Sequence, residues 1–194
     1  NIGYFSLIAS RLVTDTGKVY AFEPTPSTIK RLKHNITLNH LQNILLFEKA
    51  VSNKSGEVVF KTPADHVKNS GRSSMRDIEE NYTELRVPMV SLNEMINDLL
   101  PVKLIKMDIE GAEGLALEGM TNLLERDKPV IIMELSDHYL KQMGYSAQGV
   151  LDFFWKRNYT IYKGENFDEL ISSAEILKEY QYDILCLPQP SNTK

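Results

Sequence analysis

A chain of 194 residues with 42% apolar and 25% charged side chains can bury one substantial core, and its composition is that of an ordinary globular domain. A net charge of -4 and a sequence pI near 5.6 give no electrostatic footprint for a phosphate backbone, so nucleic acid is not an expected partner, and no apolar run approaches the length of a membrane span. The single cysteine, Cys186, rules out an internal disulfide and a thiol-based zinc cluster, which fits a reducing cytoplasm.

The chain opens on Asn1-Ile2-Gly3, with no methionine and no strand before it, and reads as cut at its start. Phe5, Leu7, Ile8, Ala9 and Leu12 recur at helical spacing, predicting a helix over 4–12 that stops at Asp15-Thr16-Gly17. Val19-Tyr20-Ala21-Phe22 is a brief strand, and Pro24 ends it so that Glu23 stands at its carboxyl end. Ser27 is read as the cap of a helix to about Asn39, with Ile29, Leu32, Ile36 and Leu38 inward. A strand over 44–51 leads through the turn Asn53-Lys54-Ser55-Gly56 into another over 57–62, a hairpin-like excursion. From 63 to 84 the chain is polar, with Asn69-Ser70-Gly71-Arg72-Ser73-Ser74 inside it; a loop of that length is functional or disordered.

A short strand over 86–90 follows, then a helix capped by Ser91 through Leu92, Met95, Ile96 and Leu99, ended by Pro101. The next stretch, from Lys103 to Glu113, is an apolar run that breaks off in three carboxylates and a glycine. It reads as a strand over 104–107 delivering acids to its carboxyl end, where open α/β sheets bind their ligands. A helix over 112–126 and an apolar strand over 130–135 come next, the latter patterned for a sheet covered on both faces. A helix over 147–156 and strands near 159–162 and 183–187 complete the order, with 165–179 read as a solvated helix face and 188–194 as a frayed tail. The alternation predicts one doubly wound α/β domain over 1–194, mostly parallel, with an antiparallel pair at its end.

Three groups of residues carry chemistry in this arrangement. Asn1-Ile2-Gly3 opening a helix has the form of a strand-to-helix turn that lets a cofactor approach backbone N–H groups, and Glu23, about twenty residues on, is placed to accept both ribose hydroxyls of a nucleoside. Asp108, Glu110 and Glu113 have an ordinary reading as first-turn acids that satisfy orphan N–H groups. With Glu134 closing the next strand, however, four carboxylates converge on one sheet edge and repel unless protonated, paired with a cation or bound to a divalent metal such as magnesium, calcium or manganese. His138 is a candidate general base, set against the ordinary reading of a partly exposed histidine. Ser73 and Ser74 lack a nucleophile elbow or an adjacent base.

Asn1-Ile2-Gly3-Tyr4-Phe5-Ser6, Val19-Tyr20-Ala21-Phe22-Glu23-Pro24, Asn35-Ile36 with Leu38-Asn39, Ala50-Val51-Ser52, Gly71 with Ser73-Ser74, Val90-Ser91-Leu92, Ile105 to Glu113, and Glu134 resemble, in order and spacing, the FkbM family of S-adenosylmethionine-dependent methyltransferases. The resemblance covers about residues 1 to 135. It implies a Rossmann-like methyltransferase fold and O-methyl transfer to a hydroxyl of a sugar, glycan or polyketide-type natural product. It assigns Asn1, Gly3, Glu23 and Pro24 to the cofactor side, Ser52 to the adenine-side loop, and Asp108 to the methionine side near the transferred methyl. Glu110, Glu113, Ser73 and Ser74 fall to the acceptor side, with capping as the other role open to the two glutamates. Asp108, Glu134 and His138 are, in that order, the expected proton acceptors. The family's first strand and glycines, which lie before Asn1 and between the strands ending at Glu23 and Asp108, are expected to be missing, leaving two unpaired inner edges and poor cofactor binding. A nicotinamide-dependent oxidoreductase and a non-catalytic nucleoside-binding module are the competing readings; acceptor, metal dependence and oligomeric state stay open.

Overall fold

The computed structural model describes residues 1–14, 16–63, 82–164, 166–172 and 181–190. Helix α1 (Tyr4–Leu12) leads to β1 (Val19–Phe22), α2 (Pro26–Leu38), β2 (Ile44–Phe47) and β3 (Ala50–Val51). Strands β4 (Gly56–Pro63) and β5 (Tyr82–Val90), a single 3-10 turn at Ile96–Asp98, β6 (Leu104–Met107), α3 (Glu113–Glu118), α4 (Thr121–Asp127) and β7 (Val130–Leu135) follow. The chain continues through α5 (Asp137–Gln142), α6 (Ala147–Trp155), β8 (Tyr159–Lys163), β9 (Glu169–Leu170) and β10 (Tyr182–Pro188).

The α/β alternation matches expectation, but the sheets are mixed rather than mostly parallel. Hydrogen bonding divides the strands into β1-β2, β3-β5-β4 and β6-β7-β10-β8-β9. The pairs β1 with β2 and β6 with β7 are parallel and joined by helical crossovers, and β3 with β5 is parallel with β4 between them in sequence. The last strand, β10, runs back between β7 and β8 and is antiparallel to both, and β4 returns along β5 antiparallel from Gly56↔Met89 to Pro63↔Tyr82. Among the described residues β1 pairs with β2 alone and β6 with β7 alone.

Local departures from the sequence expectations have tertiary causes. The strand over 44–51 breaks in two because β2 pairs with β1 while β3 must reach β5. The helix expected from Ser91 shrinks to the turn at 96–98: Ser91 Oγ donates instead to the Gly119 carbonyl at 2.9 Å, which also accepts from Asn93 N–H at 2.8 Å. That same carbonyl belongs to the break between α3 and α4, so the helix expected over 112–126 is two. A Cβ on Gly119 would run into the carbonyl of Ser52, and only glycine lets the α3–α4 junction pack there. Helix α2 begins before Ser27, with Thr25 as N-cap and Pro26 in the first turn. Helix α5 was not expected, although Ser136 stands as its N-cap and Asp137 in its first turn, and the stretch over 165–179 read as a solvated face holds β9 at 169–170, with 165 and 173–179 lying outside the described set. At the start of the expected tail Pro188 pairs with Tyr159 and Gln189 N–H donates to the Asn158 carbonyl at 2.9 Å, while residues 191–194 lie outside the described set.

The main core lies on one face of the five-stranded sheet. Ile131, Met133 and Leu135 of β7 alternate with half-buried neighbours, and Ile184 and Cys186 of β10 continue the same face under Leu117, Leu123, Leu124, Leu151 and Phe154. The strand is therefore fully covered on one face, not both. Each fully buried aliphatic or aromatic side chain there contributes about 1.5–3 kcal/mol of transfer free energy, as an upper value. The first helix contrasts with this: Tyr4, Phe5, Ile8 and Leu12 all stand exposed.

Candidate functional site

Glu23 is buried at 7% exposure, at the end of β1, where Phe22 pairs with Phe47 and Pro24 halts the ladder. One carboxylate oxygen accepts the Thr25 N–H at 2.9 Å and the other meets the amine of Asn1. The turn at 1–3 is fixed from the other side by Asn35 of α2, whose amide donates to the Ile2 carbonyl at 2.8 Å. Gly3 has φ +100 and acts as the N-cap of α1 without a side-chain cap, so the first N–H groups of this helix have no side chain of their own N-cap to satisfy them. Its lack of a Cβ serves packing first, because Leu32 of α2 fills the space a side chain would need. A buried carboxylate beside an uncapped helix start is a donor and acceptor set that fits a nucleoside with a ribose diol.

The end of β6 is reached through a sharp reversal. Asp108 is exposed, Glu110 adopts φ +57 and Gly111 φ +98, two successive left-handed residues. A Cβ on Gly111 would lie 2.7 Å from the Tyr139 carbonyl, so the turn is seated directly on α5. Glu113, expected on the acceptor side, is buried at 3% exposure and turns back: its Oε1 accepts the Ile109 N–H at 3.1 Å. Of the two roles open to it, the geometry favours capping. Burial pushes its carboxyl up to about 7, opposed by hydrogen bonds from the backbone of Glu113, Ile109 and Gly111, with the Glu134 charge adding to the rise.

The parallel register Met107↔Met133 places Asp108 and Glu134 side by side at the two strand ends. Glu134 is half-buried, and its carboxyl is raised chiefly by burial, then by Asp108, Glu110 and Asp183, against a hydrogen bond from Gln181. The expected repulsion among the acids is thus present: neighbouring carboxylates add to the rise at both Glu113 and Glu134. Among the described residues no group of three or more His, Cys, Asp and Glu side chains is arranged to hold a metal ion. Of the four acids expected to converge on this sheet edge, Glu113 turns instead to the Ile109 backbone.

His138 is exposed on α5, with its Nε2 3.1 Å from the Gln142 amide and its ring edge-on to Tyr139. Ser52 is buried after β3; its N–H donates to the Val90 carbonyl at 2.9 Å and its own carbonyl lies against Gly119. Ser73 and Ser74 fall outside the described residues. Two residues of this face escaped the sequence reading. Lys106, two positions before Asp108 and so on the same side of β6, pairs with Asp183 of β10 at 3.1 Å and lies over the Phe5 ring of α1. Asp183 itself is opposite Glu134 in the β10–β7 ladder. A lysine interrupting an apolar strand was the available signal; Asp183 carried none until the register was known.

A family model described as the Methyltransferase FkbM domain matches residues 1–161. No curated protein matches the chain. Among solved structures the chain is similar to Methyltransferase FkbM from Methylobacillus flagellatus KT, at 17% identity and a TM-score of 0.57, over 95% of this chain and 40% of that one. It is also similar to Precorrin-6y C5,15-methyltransferase from Geobacter metallireducens GS-15, at 14% identity and a TM-score of 0.52, over 97% of this chain and 76% of that one. The likeness at these identities concerns the fold, and the chain spans 40% of the length of the FkbM structure it matches.

Proposed function

The chain belongs to the FkbM methyltransferase family, and on that premise we propose that it serves S-adenosylmethionine-dependent O-methyl transfer to a hydroxyl of a sugar, glycan or polyketide-type natural product, in the cytoplasm. The observation that carries the reading is the buried carboxylate of Glu23 beside the left-handed turn at Gly3, on the same domain as the exposed Asp108. When bound, S-adenosylmethionine supplies a methyl group activated on a sulfonium centre. Glu23 would accept the ribose hydroxyls, with Asn1, Gly3 and Pro24 shaping the turn around it and Ser52 bordering the adenine side. Asp108 would face the methionine end, its negative charge suiting a cationic cofactor.

For the acceptor, position matters more than base strength, since in-line approach to a methyl group supplies much of the rate. Glu134, with its carboxyl raised by burial and neighbouring acids, is suited to take the hydroxyl proton as it leaves. Asp108 is the second candidate, and His138, turned toward Gln142 in this structure, the third. Glu110 is left for the acceptor. Calorimetric titration with S-adenosylhomocysteine, in competition with NAD, tests the cofactor; displacement by NAD alone would favour a nicotinamide oxidoreductase. Transfer of a tritiated methyl to a panel of sugar and natural-product hydroxyls tests the reaction, and nucleoside binding without any transfer would mark a binding module.

A further inference from the structure

The turn that carries Asp108 and Glu110 contains two successive left-handed residues, one of them not glycine, and such a conformation persists only where its surroundings hold it. Two contacts do so. The Gly111 backbone is seated against the Tyr139 carbonyl, and Glu113 reaches back from α3 to accept the Ile109 N–H at 3.1 Å. Resting on the methyltransferase reading above, we propose that Glu113 is a positioning residue: its buried carboxyl, accepting the Ile109 N–H, clasps the turn that presents Asp108 and Glu110.

Hydrogen bonds from the backbone of Glu113, Ile109 and Gly111 favour the ionised carboxyl, while burial in the same arrangement favours the protonated one and is the larger effect. A protonated carboxyl keeps less acceptor capacity and gives up the charge-assisted part of each bond. Burial opposes ionisation and brings the transition to about 7, where both forms are populated near neutral pH. The titratable groups on the surrounding elements are Asp108 and Glu110 on the same turn, Glu134 on β7, Tyr139 on α5 and Tyr145 beyond it, whose ring abuts Gly114. Of these, Glu134 is the one whose charge raises the proton affinity of Glu113.

The test follows the backbone amides of Ile109 and Gly111 by NMR in the 15N-labelled chain across the pH range, so it does not depend on cofactor or turnover. Both amides are expected to titrate together with a midpoint near 7, and Glu113→Gln, a near-isostere, is expected to flatten both responses. Glu134→Gln should move the midpoint down. Independent titration of the two amides would overturn the proposal. In a methyl-transfer assay, Glu113→Gln is expected to lower kcat roughly tenfold and leave KM for S-adenosylmethionine within about twofold. An unchanged kcat with a flattened amide titration would also overturn it. Amides that titrate as expected in a chain that neither binds S-adenosylmethionine nor transfers methyl would sink the methyltransferase reading and leave the clasp in place.

Discussion

The end of β1 and the end of β6 each present a carboxylate beside a left-handed turn, and they are held by different forces. Around Glu23 the fixtures are polar: the Thr25 N–H and the Asn35 amide on Ile2. The helix above them leaves Tyr4, Phe5, Ile8 and Leu12 exposed. Around Asp108 the strand is held by apolar packing, because β6 and β7 lie on the main core, while the turn beyond it is pressed against α5 and tied by the Glu113 hydrogen bond to Ile109 N–H. Hydrogen bonds add little net stability but fix direction, whereas packing adds much stability with little chemistry. The β1 end should therefore lose binding when its polar groups change, and the β6 end should lose the fold when its core is cut.

The largest effect is expected from Phe154→Ala. Phe154 is fully buried, with its ring 5.4 Å from Tyr159 and 5.5 Å from Phe153, and its truncation should cost about 3–5 kcal/mol in urea unfolding. A loss below about 1 kcal/mol would mean that the dense half relaxes as easily as the other, and the contrast would fail.

A second substitution separates stability from chemistry within the dense half. The folded chain holds the Glu113 proton up to about 7, whereas the ordinary value is 4.5, so between these values the folded state binds more protons than the unfolded one. Stability from this group is then fully present below 4.5 and is lost as pH rises to about 7. Glu113→Gln removes that dependence. The stability of the wild type relative to this variant should fall across the window by on the order of 3 kcal/mol and stay level above it, as read from denaturant unfolding at a series of pH values. A difference that rises with pH would reverse the physical account of the site.

Glu23→Gln tests the polar half. The substitution keeps the shape and leaves one oxygen to accept, so S-adenosylhomocysteine affinity should drop roughly tenfold, about 1.4 kcal/mol, with a smaller change in unfolding free energy. If stability falls more than affinity, Glu23 is a structural cap and the nucleoside assignment loses its main residue.

How far these two halves could be read from the sequence follows from the range of the interactions that build them. Glu23 before Pro24 and Asp108 after an apolar run are local signals, and both strand ends lie where period and breaker residues put them. Gly119 shows the opposite case. Within a helical pattern it looked tolerable, and only the approach of Ser52, distant in sequence, makes it a break. Ser91 looks like a helix starter for the same reason, and is diverted, with Asn93 beside it, to that break by tertiary hydrogen bonds. Glu113 and Glu110 have equal standing in sequence. What distinguishes them is a turn in which one carboxyl folds back on the backbone, and the strand pattern does not encode that direction.

The smallest effect is expected at the far end of the contrast, in Leu12→Ser. Leu12 is 76% exposed at the last position of α1, so little apolar surface returns to water on its removal. Serine is the poorer helix former, but the last turn frays and the penalty there is a fraction of its interior value. The sum should stay within about 0.5 kcal/mol, the range of surface substitutions that touch no special feature. The neighbouring exposed residues Tyr4, Phe5 and Ile8 make this more than a control. A cost above about 1 kcal/mol, measured by unfolding at two protein concentrations, would mean that the face of α1 is covered in solution. The polar half would then owe its stability to apolar burial as the β6 half does, and the distinction between the two strand ends would lose its physical basis.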